Sequence, residues 1–353
     1  MSDAVARRDF LKASLLGAAG GVLSGTVAAC HGSDVRATCN RQVGDAHAGG
    51  VMALALDTSG SLLASGGADS FIKQWRLPDG ALLGTLSGHV GAVLALAMAP
   101  EGGLLVSGGA DGTVKVWNLA DGSLLASLLG HSGAVASVAV SPDGQWVASG
   151  SSDATIRLWN LADGTPLATL VGHTLPVSAV AISSDGTMLV SSSQDATLNL
   201  WSLPGGGLLG TIPTAPAWMT SLALSVDGTL LVTGGSDDAV DLWSLPGGVL
   251  GKALKWHSQA VVSVAMSPDQ SLIASGSRDM TVNVWRVPGG ARVKTILDHA
   301  GAVNALVIAP DSKTLISGSD DRSIRLWRLP DGRYLGCASD PALPEQTSVS
   351  FSC

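Results

Sequence analysis

The chain is poor in aromatic residues, in charge and in cysteine. Only 4% of its 353 residues are aromatic, and Trp supplies 10 of these against 3 Phe and 1 Tyr. Charged residues make up 14%, the formal net charge is −8, and no basic block follows residue 12. Binding to nucleic acid draws on a basic patch set against phosphates, so no nucleic-acid partner is expected. After residue 30 no stretch is long and apolar enough to span a bilayer. The four Cys, at 30, 39, 337 and 353, stand near the two ends, with none in between.

What is there is repetition. An Asp followed six residues later by Trp occurs at Asp69/Trp75, Asp111/Trp117, Asp153/Trp159, Asp195/Trp201, Asp237/Trp243, Asp279/Trp285 and Asp321/Trp327, each pair 42 residues after the one before. Length alone suggests about two domains, but an in-phase array of seven units points to one ring. A period in the low forties, with Gly-His at one end and Trp at the other, marks a four-stranded propeller blade. On these residues the chain resembles the WD-repeat β-propellers over about residues 47–339. The family's usual Asp after the Trp is replaced by Arg76, Asn118, Asn160, Ser202, Ser244, Arg286 and Arg328. The resemblance implies an all-β fold of seven four-stranded antiparallel blades, forming a monomeric ring.

The remaining pattern fits that expectation. Hydrophobic residues reach 46% and Gly numbers 45, as suits short strands buried on both faces between tight turns. Nearly unbroken apolar runs, such as 51–56, 93–99 and 303–309, are expected to form the strands covered on both sides by neighbouring sheets. Ser141-Pro142-Asp143-Gly144 and Leu77-Pro78-Asp79-Gly80 exemplify the turns between strands, where Pro presets the bend and Gly takes positive φ.

Residues 1–30 lie outside the repeats. Ala6-Arg7-Arg8-Asp9-Phe10-Leu11-Lys12 resembles a twin-arginine export motif of bacteria, and an uncharged segment from Ala13 to Ala29 follows. A positive start and a short apolar middle are the marks of a signal peptide. Val27-Ala28-Ala29-Cys30 resembles a lipoprotein processing box, which implies lipid on Cys30 and attachment on the periplasmic side of a membrane; simple cleavage is the alternative. Residues 31–46 read as a tether or closing segment, and 340–353 as a tail.

Each unit also holds a Ser or Thr four residues before its Asp, and six hold a His 22 residues before it. The sets run His47/Ser65, His89/Ser107, His131/Ser149, His173/Ser191, His257/Ser275 and His299/Ser317, with Thr233 in the fifth. A Ser–His–Asp triad is one reading. The family resemblance implies instead a buried structural network, since a buried carboxylate and imidazole are costly without partners. A catalytic site repeated around a ring is implausible, and His residues one blade apart cannot converge on a metal. No catalytic residue, cofactor or metal is therefore expected. The fifth unit has Ala215 in place of His, and Trp218 where the others carry Gly, Ala or Pro, which suggests either drift or a loop reshaped for binding.

WD-repeat proteins generally bind partners on the face holding the channel mouth. Carried over by position, Met52, Leu94, Val262 and Asn304 point into the channel there, with Arg278 and Asp320 on adjoining turns. A protein or peptide partner suits this mostly small and apolar face; a mere channel plug is the alternative. Two chain ends compete for the outer edge of the seventh blade: 333–339 and 39–45 both match the register of an outer strand. A disulfide from Cys39 to Cys337 or to Cys353 is expected at this closure. The functional expectation is an exported, non-catalytic protein-interaction scaffold. The alternatives are a propeller subunit or enzyme of an exported redox or cofactor complex, and a sugar- or cell-wall-binding lipoprotein.

Overall fold

A computed structural model describes residues 45–339 and 341–343. The chain divides into two compact units, and all described residues belong to the second, Arg41–Val349. Cys30, Cys39 and Cys353, like the export motif, lie outside the described residues.

Among the described residues there are 28 strands and no helix. They form seven four-stranded antiparallel sheets, each built from four consecutive strands, here a to d. Blade one comprises Val51–Leu56, Leu62–Gly67, Phe71–Arg76 and Ala81–Ser87. Blade five comprises Met219–Leu224, Leu230–Gly235, Ala239–Ser244 and Val249–Lys255. The innermost a strands touch in cyclic order and the seventh returns to the first. The molecule is a seven-bladed β-propeller.

The seams explain why strands a and b can be nearly all apolar. The first residue of strand a is Val in six blades, and each of these Val is almost wholly buried. Its side chain packs against a Gly on strand b of the preceding blade. A Cβ on Gly66, Gly108, Gly150, Gly234, Gly276 or Gly318 would lie within 2.5–2.8 Å of that Val, so no larger residue fits without displacing the blade. At the seam between blades four and five the corresponding residues are Ser192 and Met219.

Closure follows the same rule. The outer strand of blade seven is Arg333–Ala338, paired to Ile324–Arg328. Of the two segments matched to that edge by sequence, it is therefore the C-terminal one that is seen there. Ala46 and Val51 of the first blade share a cluster with Ile324, Leu326 and Ala338 of the last. The Ala46 N–H donates to the Arg322 carbonyl at 2.8 Å, and Arg322 Nη1 lies 3.2 Å from Asp45 Oδ2.

Candidate functional site

The polar side chains inside the blades form one network built six times. The His Nδ1 lies 2.8–3.0 Å from the carboxylate in the pairs His47/Asp69, His89/Asp111, His131/Asp153, His173/Asp195, His257/Asp279 and His299/Asp321. Each Nε2 lies 2.7–2.8 Å from the hydroxyl of Ser65, Ser107, Ser149, Ser191, Ser275 or Ser317. That hydroxyl accepts the indole N–H of Trp75, Trp117, Trp159, Trp201, Trp285 or Trp327 at 2.8–2.9 Å. Because each Ser oxygen already accepts from Trp, its own proton goes to Nε2, and Nδ1–H then donates to Asp. Every one of these hydroxyls is fully buried.

Electrostatics agree with that assignment. Burial lowers the pKa of His89, His131, His173 and His299 despite the facing carboxylate, so these rings are neutral. Burial alone would raise Asp111, but the Val90 N–H, the Thr113 hydroxyl and His89 outweigh it and hold the carboxyl at about 2. Asp153 also lies at about 2, held by Thr155, His131 and the Ser132 N–H against its burial. A serine in this setting is a hydrogen-bond relay with both roles occupied.

The residues singled out for partner binding fall into separate groups. Met52, Leu94, Val262 and Asn304 come together in the central channel, a space of about 260 Å³ lined by strands a. Asn304 Nδ2 donates to the Val51 carbonyl at 3.2 Å and to Asp320 Oδ1 at 2.7 Å, so Asn304 and Asp320 tie the closing seam at the channel rim. Arg278 is exposed on blade six, and Trp218 is 42% exposed on blade five; neither lines the channel. The Trp218 N–H lies 3.2 Å from Ser236 Oγ, which fixes the indole beside the turn carrying Asp237. Trp256 is exposed with the Arg292 guanidinium stacked 3.8 Å over its ring, and Trp146 is half-buried against the core. Cys337 is half-buried in the outer strand of blade seven.

The fifth blade holds a residue that sequence reading passed over. Two positions before the Trp, six blades carry a donor: Lys73, Lys115, Arg157, Asn199, Asn283 and Arg325. The fifth carries Asp241, which is 6% exposed, and its Oδ1 has no hydrogen-bond partner. Burial and the nearby charge of Asp237 push this carboxyl up to about 6, with Lys255 acting weakly against them. Aligning the units on their period of 42 would have exposed this column, because only one of seven entries reverses donor to acceptor.

Among the described residues, no group of three or more His, Cys, Asp or Glu is arranged to hold a metal, and no helix is long and apolar enough to cross a membrane. A family model described as WD domain, G-beta repeat matches residues 38–76, 80–118, 122–160, 164–202, 206–244, 248–286 and 290–328. No curated protein matches the chain significantly. The seven matched segments cover well over half of the sequence, and the chain belongs to the WD40 repeat family.

Proposed function

We propose that this protein is an exported, non-catalytic platform for protein–protein contacts, anchored through lipid on Cys30 at the periplasmic side of a membrane. WD40 propellers commonly serve as interaction scaffolds, and that is the general expectation for a ring of this kind. The single observation that carries the reading is how the reactive side chains are used. In six blades each Ser, His and Asp that could compose a hydrolytic set is tied to the others and to Trp inside the sheet. What remains on the loop face suits a partner: an exposed indole at Trp218, a charged rim at Arg278 and Asp320, and a channel mouth lined by Met52, Leu94, Val262 and Asn304. Exposed aromatics with low rotamer entropy are the usual anchors of interfaces. The export and lipid parts rest on the N-terminal sequence alone.

The test is crosslinking followed by capture from envelope extract, run with the parent and with Trp218→Ala. A specific protein retained by the parent and reduced about tenfold or more by the substitution is expected, since interface anchors are worth about 1.4 kcal/mol or more. Capture of nothing specific by the crosslinked parent would sink the scaffold reading. Trp218 also suits stacking on a sugar ring, and binding of cell-wall glycan to the parent but not to Trp218→Ala would turn the assignment to that class. Absorption spectra and metal analysis of purified protein address the redox alternative directly. Mass analysis of the mature N-terminus addresses Cys30.

A further inference from the structure

The fifth blade differs from the others at five positions that surround one point. Ala215 stands where six blades place the imidazole. Pro216 removes the main-chain N–H that elsewhere caps the Asp, as Val90, Ser132 and Ser258 do at 2.8–3.0 Å. Ala239 removes the hydroxyl that Thr113, Thr155 and Thr281 donate to the same carboxylate at 2.7 Å. Ala253 is paired with Asp241 across strands c and d; the corresponding Thr211 and Thr295 donate to Asn199 and Asn283 at 2.6 and 2.5 Å. Asp241 itself reverses donor to acceptor.

The place of the ring is not refilled. A Cβ on Gly67 or Gly109 would collide with the imidazole of His47 or His89, whereas on Gly235 it meets Asp237 and then only the Ala239 carbonyl at 3.5 Å. The side chain at the Asp241 position reaches that space: Asn283 Nδ2 lies 3.1 Å from His257 Nε2, and Asn199 Nδ2 lies 3.4 Å from His173 Nδ1. Thr233 Oγ1 accepts from Trp243 Nε1 at 3.0 Å, and its proton has lost the Nε2 it meets in other blades. On the solvent side, Asp237 is 36% exposed, with the largely exposed Lys255 ammonium 3.6 Å away.

We propose that this vacated slot is a binding site for an imidazole-type cation, brought by a free imidazole-bearing molecule or by a histidine side chain of another chain. Asp237 and Thr233 are the counterparts of the two groups that hold Nδ1 and Nε2 in the six intact blades. Asp241 adds a buried, unpaired carboxylate oxygen facing the same space, which favours the protonated ring. Two carboxylates without a third strong ligand make a poor cage for a metal ion, and a planar cation with two N–H donors matches what is there. The exposed indole of Trp218 lies beside the turn that carries Asp237.

The experiment is calorimetric titration of the full chain with imidazole, repeated with N-acetylhistidine amide and with calcium chloride. Saturable binding of imidazole is expected, weakened about tenfold or more by Asp241→Asn and abolished by Ala215→His, which refills the slot from within. Should Ala215→His fail to fold, Thr233→Val replaces it, removing one of the two anchoring groups while keeping the side-chain volume. Binding of N-acetylhistidine amide as well would assign a side-chain ligand; binding of imidazole alone would assign a free molecule. No saturation by imidazole, equal affinity in every variant, or Asp241-dependent binding of calcium in its place would overturn the proposal. The titration needs no partner, so its failure leaves the scaffold reading untouched.

Discussion

Ser149 and Thr233 occupy the same place in their blades and carry different loads. Ser149 joins the imidazole of His131 to the indole of Trp159, whereas Thr233 serves Trp243 alone. Each buried group left unpaired costs about 1–3 kcal/mol. Ser149→Ala is therefore expected to destabilise by about 2–4 kcal/mol and Thr233→Val by about 1–2 kcal/mol, read from denaturant midpoints at a constant slope. Equal losses would mean that the networks do not act as units.

Asp241 sets a pH dependence of opposite sign to that of its counterparts. Its carboxyl sits near 6 in the fold, above the ordinary 3.8, so the folded state holds the extra proton between those values. Stability from this group then falls as pH rises through that window and stays low above it. Asp237, Lys255 and Thr233 surround it, and water at Asp237 screens part of the penalty. Asp241→Asn is expected to stabilise by about 1–2 kcal/mol at pH 7.5 and by almost nothing at pH 3.5. Asp111 and Asp153 behave the other way: held at about 2, they contribute stability above 3.8 that is lost as pH falls towards 2. A gain from Asp241→Asn that is the same at both pH values would refute the account.

At the scale of the element, the turns between strands b and c separate what is legible from what is not. The residue after the repeat Asp has positive φ in every blade: Ser70, Gly112, Ala154, Ala196, Asp238, Met280 and Arg322. Only one of the seven is Gly, so composition gives no sign of it. Outside blade five the conformation is held by the preceding Asp, whose Oδ1 accepts the N–H two residues on, as at Thr155 at 2.9 Å. A side-chain bond of this kind stands in for glycine's freedom. Ala154→Gly relieves the left-handed strain and is expected to stabilise by about 0.5–1 kcal/mol, measured by thermal unfolding. A loss would show that this turn is unstrained. The turns between a and b were more readable, because Gly60, Gly144 and Gly228 carry their own signal, with Gln270 and Ser312 as the exceptions at positive φ.

At the scale of the whole molecule, the seam between blades seven and one resembles the other seams. Val51 packs on Gly318 as Val93 does on Gly66, and Ala46 and Ala338 lie in one cluster. Ser339 and Asp45 hold the same place in the 42-residue period. A circular permutant joining Ser339 to Ala46, with new ends at the exposed Glu101–Gly102 turn, is expected to unfold in one transition within about 2 kcal/mol of the parent. Separate melting of blades one and two would show that the natural ends contribute more than the seam.

Periodicity alone determined the blade, the number of blades, the ring and the pairing of Asp, His, Ser and Trp. It could do so because a sheet covered on both faces repeats its burial pattern with its neighbours, and buried polar groups need partners at constant spacing. The departures at Ala215 and Trp218 were visible for the same reason, as breaks in a column. Only the tertiary structure decided that Arg333–Ala338 lies on the outer edge of the last blade, since two segments fit that register equally well in one dimension. It alone also turned Asp241 towards the place of the missing ring. Which way a strand residue faces, and what lies opposite, depends on a strand pair and a loop that are distant along the chain.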